Sequence, residues 1–247
     1  MRAAGRVVHQ TLAACRRHVC PGVTTAQLDQ IALETFTALG AVGLFKNYPT
    51  YEPGKGFSGN TCISVNDEVV HGIPGSRLLR AGDAVSIDCG IRLDGWCGDS
   101  ALTMIVGEGT PDIVRLVRIA EETLELAIRL IRPGIRWSDV ARKMQEYVES
   151  RGLSCVREFV GHGIGRRMHE EPKVPNFVSS EFLNRDDFYL EPGMTLAVEP
   201  MVILGGPEVV VLDDGWTVVT RDHTAAAHVE HTLAVTSDGC EVLTDGR

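Results

Sequence analysis

An internal repeat constrains the fold of this chain more than any other feature of its sequence. Pro21-Gly22-Val23 and Pro133-Gly134-Ile135 are 112 positions apart, and each lies between two segments in which apolar residues recur at helical spacing. Pro-Gly is a common loop dipeptide, so chance recurrence is the alternative interpretation. Duplication would divide the chain into two similar halves, approximately 1–107 and 108–247.

A second pair of matched positions favours duplication over chance. Gly82 lies six residues before Asp88, and Gly193 lies six residues before Glu199, with an offset of 111 between the pairs. The repeat predicts an α+β fold with two pseudo-symmetric halves, in which a curved, mostly antiparallel sheet is backed by two helix pairs. Asp88 and Glu199 would then face each other across the axis that relates the halves.

Each half begins with two predicted helices and continues with predicted strands. The first helix covers residues 1 to about 19, and Thr24 with Gln27 fits a capping box at the start of the second. In the other pair, Thr110 can cap one helix and Ser138 can cap the next. Strands are predicted at 61–65, 84–91, 96–106, 195–203, 208–212, 216–220 and 226–236.

Composition and charge exclude several classes of protein. The chain has 247 residues, which permits one large domain or two small ones. Its formal net charge of −9 argues against a broad nucleic-acid-binding face, and no apolar run is long enough to span a bilayer. No signal peptide is expected, and the seven cysteines form no CxxC pair, so we expect a cytoplasmic protein with free thiols.

Histidine and glycine are concentrated in the segment FVGHGIGRRMH at 159–169. His162 stands between Gly161 and Gly163, where glycine lets another backbone approach the imidazole ring closely. A histidine buried in an ordinary core does not need flanking glycines, whereas a histidine in a tight surface turn can have them. The segment therefore indicates a metal or catalytic site only if the rest of the chain supplies acidic partners.

Two aspartates flank a predicted hairpin. Asp88 ends the apolar run Val85-Ser86-Ile87, and Asp99 lies eleven residues later, past the turn Leu93-Asp94-Gly95. The returning strand could bring both carboxylates to one face of the sheet, where burial is costly unless each acid is paired or binds a metal. A hydrogen-bonded strand end at Asp88 and a turn cap at Asp99 are the alternatives.

Glu199 and Glu230 are carboxylates within strongly apolar segments. A surface salt bridge explains neither well, and a buried acid at Glu230 needs a cation. With Asp88, Asp99 and His162 they make four carboxylates and one imidazole from separated segments. A donor set of this kind suits Mn, Fe, Co or Zn, and two ions that share carboxylates relieve the repulsion between the charges.

Around these residues the chain resembles the type I methionine aminopeptidases of the pita-bread family over almost its whole length. The resemblance rests on SVNDEVVHGIP at 64–74, SIDCG and GDS around Asp88 and Asp99, GHGIGRRMHEEP at 161–172, MTLAVEPM at 194–201, DGWTVVTRD at 214–222 and EHTLAVT at 230–236. It implies the pita-bread fold in a single catalytic domain, 1–247. It also implies a hydrolase that removes the initiator methionine from nascent proteins when the second residue is small, by attack of a metal-bridged hydroxide on the first peptide bond.

The resemblance further implies a site for two divalent ions, which could be Co, Mn, Fe or Zn. Asp88 and Asp99 would bind one ion. Asp99, His162 and Glu199 would bind the other. Glu230 would contribute to both. Glu199 could also carry a proton from the attacking water to the leaving amine.

The same resemblance assigns residues that contact the substrate. His169 is expected to contact the scissile carbonyl, and His71 to orient the substrate near its amine. Without the metal ligands, a loop histidine would be the better interpretation of His71. The walls of the methionine pocket are expected to be Cys62, Phe57, Met168 and Trp216, although each could equally be an ordinary core residue.

Two other classes compete with this interpretation. Prolidase-like and aminopeptidase P-like enzymes share the five ligands, but they usually carry a further N-terminal domain for which this sequence is expected to leave no room. A non-catalytic binding module that kept the fold would be expected to lose metal-ligating side chains, whereas all five are present in this sequence.

The expected partners are the N-termini of nascent polypeptides, and the protein is expected to be a monomer without a nucleic-acid or membrane partner. Four basic residues close to the site in sequence could form a rim that contacts the ribosome transiently, and a solvated charged edge is the interpretation we favour. They are Arg157, Arg166, Arg167 and Lys173.

Overall fold

In a computed structural model, which describes residues 1–49 and 56–247, the first half of the chain forms one helix pair followed by strands. These elements are α1 (Arg2–His18), α2 (Thr25–Ala38), β1 (Val42–Gly43), β2 (Cys62–Val65), β3 (Glu68–Val70), β4 (Ala84–Leu93) and β5 (Trp96–Ile105).

The second half repeats this order with shorter strands. Its elements are α3 (Pro111–Leu130), α4 (Trp137–Glu149), β6 (Ser154–Cys155), β7 (Gly161–Gly163), β8 (Glu170–Val174), α5 (Ser180–Arg185), β9 (Thr195–Val198), β10 (Met201–Ile203), β11 (Val209–Val211), β12 (Val218–Thr220), β13 (Ala226–His228), β14 (His231–Val235) and β15 (Cys240–Val242). The predicted helices and most predicted strands are confirmed, but the strands predicted at 195–203 and 226–236 are each divided in two, at Glu199-Pro200 and at Val229-Glu230. Several two- and three-residue strands carry too little pattern for sequence-based recognition.

Side chains cap two of the four long helices at their N-termini, α2 and α3. The predicted capping box is present: the Thr24 hydroxyl accepts from the Gln27 amide, and the Gln27 side chain accepts from the Thr24 amide. At the start of α3, the Thr110 hydroxyl accepts a hydrogen bond from the Ile113 amide. The predicted cap at Ser138 is wrong, because α4 begins one residue earlier and Ser138 lies inside it. The carboxylate of Asp187, 49 positions away, accepts hydrogen bonds from the Ser138 amide and hydroxyl instead.

Matched turns support the pseudo-symmetry of the halves. Gly22 and Gly134 both have positive φ, +91° and +83°, a conformation that glycine adopts readily. Each donates its N–H over 2.8 Å to a leucine carbonyl, Leu79 for Gly22 and Leu190 for Gly134. The turn within each helix pair therefore makes the same contact with the segment that precedes a strand of its own half, β4 in the first and β9 in the second. These observations support our proposal that the repeat divides the chain near residue 107.

The long β4–β5 hairpin is the centre of the first half. Ten consecutive residue pairs join the two strands, from Ala84 with Ile105 to Leu93 with Trp96. Asp94 and Gly95 form the connection with φ of +50° and +77°, as expected for a two-residue turn that matches the twist of the strands. This turn fixes the register of every residue along the hairpin.

All strand pairs among the described residues are antiparallel, as predicted. The strands form four hydrogen-bonded groups, of which the largest are β1-β4-β2 with β5, and β15-β14-β9-β7-β8. Side chains and single backbone bonds connect these two groups along β5 and β14. Thr232 accepts a hydrogen bond from the Asp99 amide and donates one to the Asp99 carbonyl, and the Glu230 amide donates to the Ala101 carbonyl.

Each helix pair buries its apolar face against the sheet of its own half. Val8, Leu12 and Cys15 of α1 pack against β4 in one cluster, as the helical spacing predicted. Trp137 and Met144 of α4 are fully buried in the other. The cysteines are free thiols, as expected. No helix in the described part of the chain could cross a bilayer.

Candidate metal centre and substrate cavity

One cavity of about 310 Å³ brings together all the side chains that the sequence singled out as site residues. It lies where the two halves meet. The predicted residues in its lining are Phe57, Cys62, His71, Asp88, Asp99, His162, Met168, His169, Glu199, Trp216 and Glu230. Their individual roles stay predictions, but their convergence is a structural fact.

The hairpin register places the two aspartates on one face. Asp99 pairs with Gly90, and Asp88 lies two residues from Gly90 along β4, so both side chains point to the same side of the sheet. Gly90 leaves room between them, because a Cβ there would lie 3.1 Å from Asp99 Oδ1 and 2.7 Å from Met168 Cε. Asp99 is 2% exposed.

Glycines bring other backbone segments close on both sides of His162, as the sequence predicted. A Cβ on Gly161 would lie 2.3 Å from the Ala197 carbonyl oxygen, and one on Gly163 would lie 2.1 Å from that of Glu171. No side chain fits at either position. The three-residue strand β7 is thereby packed between its neighbours β8 and β9.

Hydrogen bonding selects the nitrogen that His162 presents to the cavity. Its Nδ1 lies 2.8 Å from the Gly163 carbonyl oxygen, so Nδ1 carries the hydrogen and donates it. Nε2 is left with its lone pair, 3.9 Å from an oxygen of Asp99 and 3.9 Å from an oxygen of Glu199. A backbone carbonyl commonly orients a metal-binding histidine in this way.

Three buried carboxylate oxygens have no hydrogen-bond partner among the described residues. They are Asp88 Oδ1, Asp99 Oδ1 and Glu230 Oε1. A buried ionised oxygen without a partner is costly unless a cation compensates it. Single ligand atoms of Asp99, His162 and Glu230 all lie within 4.8 Å of one another. This donor set therefore fits a divalent cation.

The pKa values of these acids in the metal-free protein also favour a bound cation. Burial, and then repulsion from neighbouring carboxylates, raises the pKa of Asp88 and of Glu230 well above their usual values. Burial followed by the charge of Glu199 raises the pKa of Asp99 to about 8. So many acids in one buried cluster repel each other, and positive charge from bound ions relieves that repulsion.

Two further histidines flank the carboxylate cluster. Burial is the main cause that lowers the pKa of His71 and of His169, to about 4 in each case, so both rings are neutral at neutral pH. The ring of His169 lies 4.2 Å from that of His162 between centroids. His71 follows β3 with a φ of +59° and makes an edge contact with Phe159.

The predicted methionine pocket is one apolar cluster. Phe57, Cys62 and Met168 are buried together with Phe45. Trp216 packs edge-on against Phe57, with 5.2 Å between the ring centroids. Sulfur and aromatic groups therefore line a common wall beside the carboxylates.

Sequence reasoning missed His228 as a cavity residue. It is 3% exposed, and its Nε2 lies 3.4 Å from Glu199 Oε2. Burial tends to raise the pKa of Glu199, but the adjacent imidazole of His228, and after it those of His162 and His71, offset this, and the pKa lies below its usual value. The two-residue spacing from His228 to Glu230, typical of one strand face, was the available signal.

Other missed lining residues come from segments distant in sequence. They are Phe45, Tyr48, Val70, Phe159, Val160 and Met201.

The basic residues near the site are exposed but not all without contacts. The Arg166 guanidinium stacks over the ring of Trp96 at 4.2 Å from its centroid, and Arg157 lies 3.5 Å from a carboxylate oxygen of Glu149. Arg167 and Lys173 are exposed. Stacking on an aromatic face holds Arg166 beside the β4–β5 turn.

A cluster of carboxylates with the imidazole of His162 lies where the two halves of the fold meet, and its donor set suits divalent metal ions. The model of metallopeptidase family M24 matches residues 1–237, and the chain belongs to this family. Its similarity is to the methionine aminopeptidases of that family. Methionine aminopeptidase 1 of Bacillus subtilis is 45% identical over 244 residues, which cover 99% of this chain and 94% of the relative.

Solved structures agree. The methionine aminopeptidase of Thermotoga maritima superimposes with a TM-score of 0.92 at 44% identity, covering 99% of this chain and 94% of that one. Prolidase from Pyrococcus furiosus shares the fold, with a TM-score of 0.79 at 18% identity over 63% of its length. The family resemblance and the pita-bread fold that the sequence predicted are thereby confirmed.

Proposed function

We propose that this protein is a methionyl aminopeptidase, a hydrolase that releases the N-terminal methionine from polypeptides whose second residue is small. The single observation that supports the proposal is the cavity in which four carboxylates, the imidazole of His162 and two neutral histidines adjoin an apolar pocket with sulfur and aromatic walls. The family relationship supports the same activity.

Five side chains would hold two divalent ions, drawn from Co, Mn, Fe or Zn. They are Asp88, Asp99, His162, Glu199 and Glu230. When bound, such ions supply Lewis-acid catalysis and lower the pKa of water. Elemental analysis of protein purified without added metal, with activity restored ion by ion, would identify the metal and its stoichiometry.

The surrounding side chains would bind the substrate and move protons. Because His169 is neutral, one ring N–H can donate to the oxygen of the scissile carbonyl as charge develops there. His71 would orient the substrate near its amine. Glu199, whose pKa is kept low by its histidine neighbours, would accept a proton and pass it to the leaving amine. The methionine side chain would lie against Cys62, Phe57, Met168 and Trp216.

Release of free amino acids from short peptides tests the activity. We expect methionine to be released from Met-Ala-Ser, with much slower reaction of Met-Leu-Ser and Leu-Ala-Ser. A prolidase would instead cleave Xaa-Pro dipeptides, and a binding module would bind Met-Ala-Ser without consuming it. Either of those results would overturn the proposal.

The natural substrate would be the N-terminus of a nascent chain, met by a monomeric enzyme in the cytoplasm. A transient contact with the ribosome through Arg157, Arg166, Arg167 and Lys173 would supply that substrate. The exposed guanidinium of Arg166 and its stacking on Trp96 support the proposal. Reversal of charge in R166E/R167E should reduce cosedimentation with ribosomes at low salt, where such contacts are strongest. Unchanged cosedimentation would indicate that these residues form only a solvated edge.

A further inference from the structure

We propose that Tyr48 is a positioning residue, which fixes the tautomer and the ring orientation of His169. The hydroxyl oxygen of Tyr48 lies 2.7 Å from Nδ1 of His169, a normal hydrogen-bond length. The two rings meet edge to face, with centroids 5.3 Å apart. The inference rests on the proposed function, because it concerns the histidine assigned to the scissile carbonyl.

The hydrogen bond has a preferred direction. A phenol is a better donor than acceptor, because its oxygen lone pair is delocalised into the ring. Burial also raises the pKa of Tyr48, which keeps the hydroxyl protonated. With Tyr48 donating, Nδ1 of His169 is the acceptor, and a neutral imidazole then carries its hydrogen on Nε2. That Nε2–H is the donor which the proposed function requires.

His169 is held from two sides. Tyr48 binds its Nδ1, and the ring of His162 lies 4.2 Å away between centroids. The side chain of His169 would otherwise be free to rotate about its two torsions, at a cost in conformational entropy when the substrate binds. A ring already oriented before the substrate arrives needs no reorganisation as charge develops.

The backbone of Tyr48 is fixed by the walls of the methionine pocket. Its N–H donates to the Phe45 carbonyl over 2.8 Å, and its carbonyl accepts from the Phe57 amide over 3.0 Å. Asn47 adds a third bond, from its amide to the Phe57 carbonyl over 2.7 Å. Phe45 and Phe57 are buried in the pocket cluster. The residues that enclose the methionine side chain therefore also place the hydroxyl that orients His169.

Tyr48→Phe isolates the hydroxyl, because it keeps the ring and its packing. We expect kcat for Met-Ala-Ser to fall about tenfold, the value of one hydrogen bond felt in the transition state, with KM changed by less than about twofold. Metal content should be unchanged. Tyr147→Phe is the matched control. Its hydroxyl donates to Glu122 on the exterior helices, so kcat should equal that of the wild type.

A spectrum separates positioning from a merely structural role. In protein labelled with ¹⁵N-histidine, the ring nitrogens of His169 should show the Nε2–H tautomer, and Tyr48→Phe should shift the signal toward a mixture. In a His169→Ala background, Tyr48→Phe should have no further effect on kcat, since its action passes through the missing ring. An Nδ1–H tautomer in the wild type, or an undiminished effect in that background, would overturn the inference. The spectrum does not depend on turnover. A wild-type protein that shows the Nε2–H tautomer but releases no methionine would contradict the proposed function and leave the inference about Tyr48 intact.

Discussion

Glu230→Gln is expected to reduce methionine release roughly a thousandfold, the equivalent of about 4 kcal/mol of transition-state stabilisation. The carboxylate is 2% exposed, and its Oε1 has no hydrogen-bond partner among the described residues, so a cation is its natural partner. An amide keeps the shape but removes the charge and one of the two donor oxygens. Elemental analysis should show that at least one metal position is lost. Glu241→Gln, which removes only an ion pair with Arg2 at the surface, should leave both quantities unchanged.

The same substitution should make the metal-free protein more stable at neutral pH. Burial and the charges of Asp99, Glu199 and Asp88 raise the pKa of Glu230, so the folded state disfavours its ionised form. A raised pKa means that this contribution to stability is present at low pH and is lost as the pH rises above the ordinary range of a glutamate. Thermal unfolding in a chelator should give a higher Tm for the variant above pH 5. A lower Tm would mean that Glu230 makes a stabilising contact which the structure does not show.

His169→Ala is expected to lower kcat between about a hundredfold and a thousandfold while the metal content stays at the wild-type level. The ring would donate a hydrogen bond that strengthens as the carbonyl oxygen becomes negative, and alanine cannot replace it. His169 is not in the group whose ligand atoms converge, which consists of Asp99, His162 and Glu230. Turnover and elemental analysis on the same preparation measure both quantities.

The control for this variant is His223→Ala, because His223 is exposed and its contact is a hydrogen bond with Asp67 at the surface. Its kcat should match that of the wild type. Loss of metal from His169→Ala would contradict the assignment, since it would make His169 a ligand. An undiminished kcat would remove His169 from the reaction altogether.

The sequence predicted the parts of the site whose signals are local. Asp88 and Asp99 could be placed on one face because a two-residue turn and strand periodicity fix the register of the β4–β5 hairpin. The glycines beside His162 indicated close backbone approach, and the structure shows it. The roles of these side chains in binding metal and substrate stay predictions.

Contacts between distant segments left no comparable signal. Asp187 binds Ser138 across 49 positions, and Tyr48 binds His169 across 121. No local sequence pattern indicates either of these pairs, because only tertiary packing brings the two members of each pair together. The position of Ser138 just before apolar residues at helical spacing therefore suggested a local cap that the structure does not use.

The bonds between β5 and β14 have a consequence for the order of events during synthesis. Asp99 is synthesised more than a hundred residues before its hydrogen-bond partner Thr232 and the neighbouring Glu230. The acidic cluster cannot assemble until both of these later residues have left the ribosome, because the pairings are far apart in sequence. A nascent chain that stops short of Glu230 therefore lacks part of the proposed metal centre.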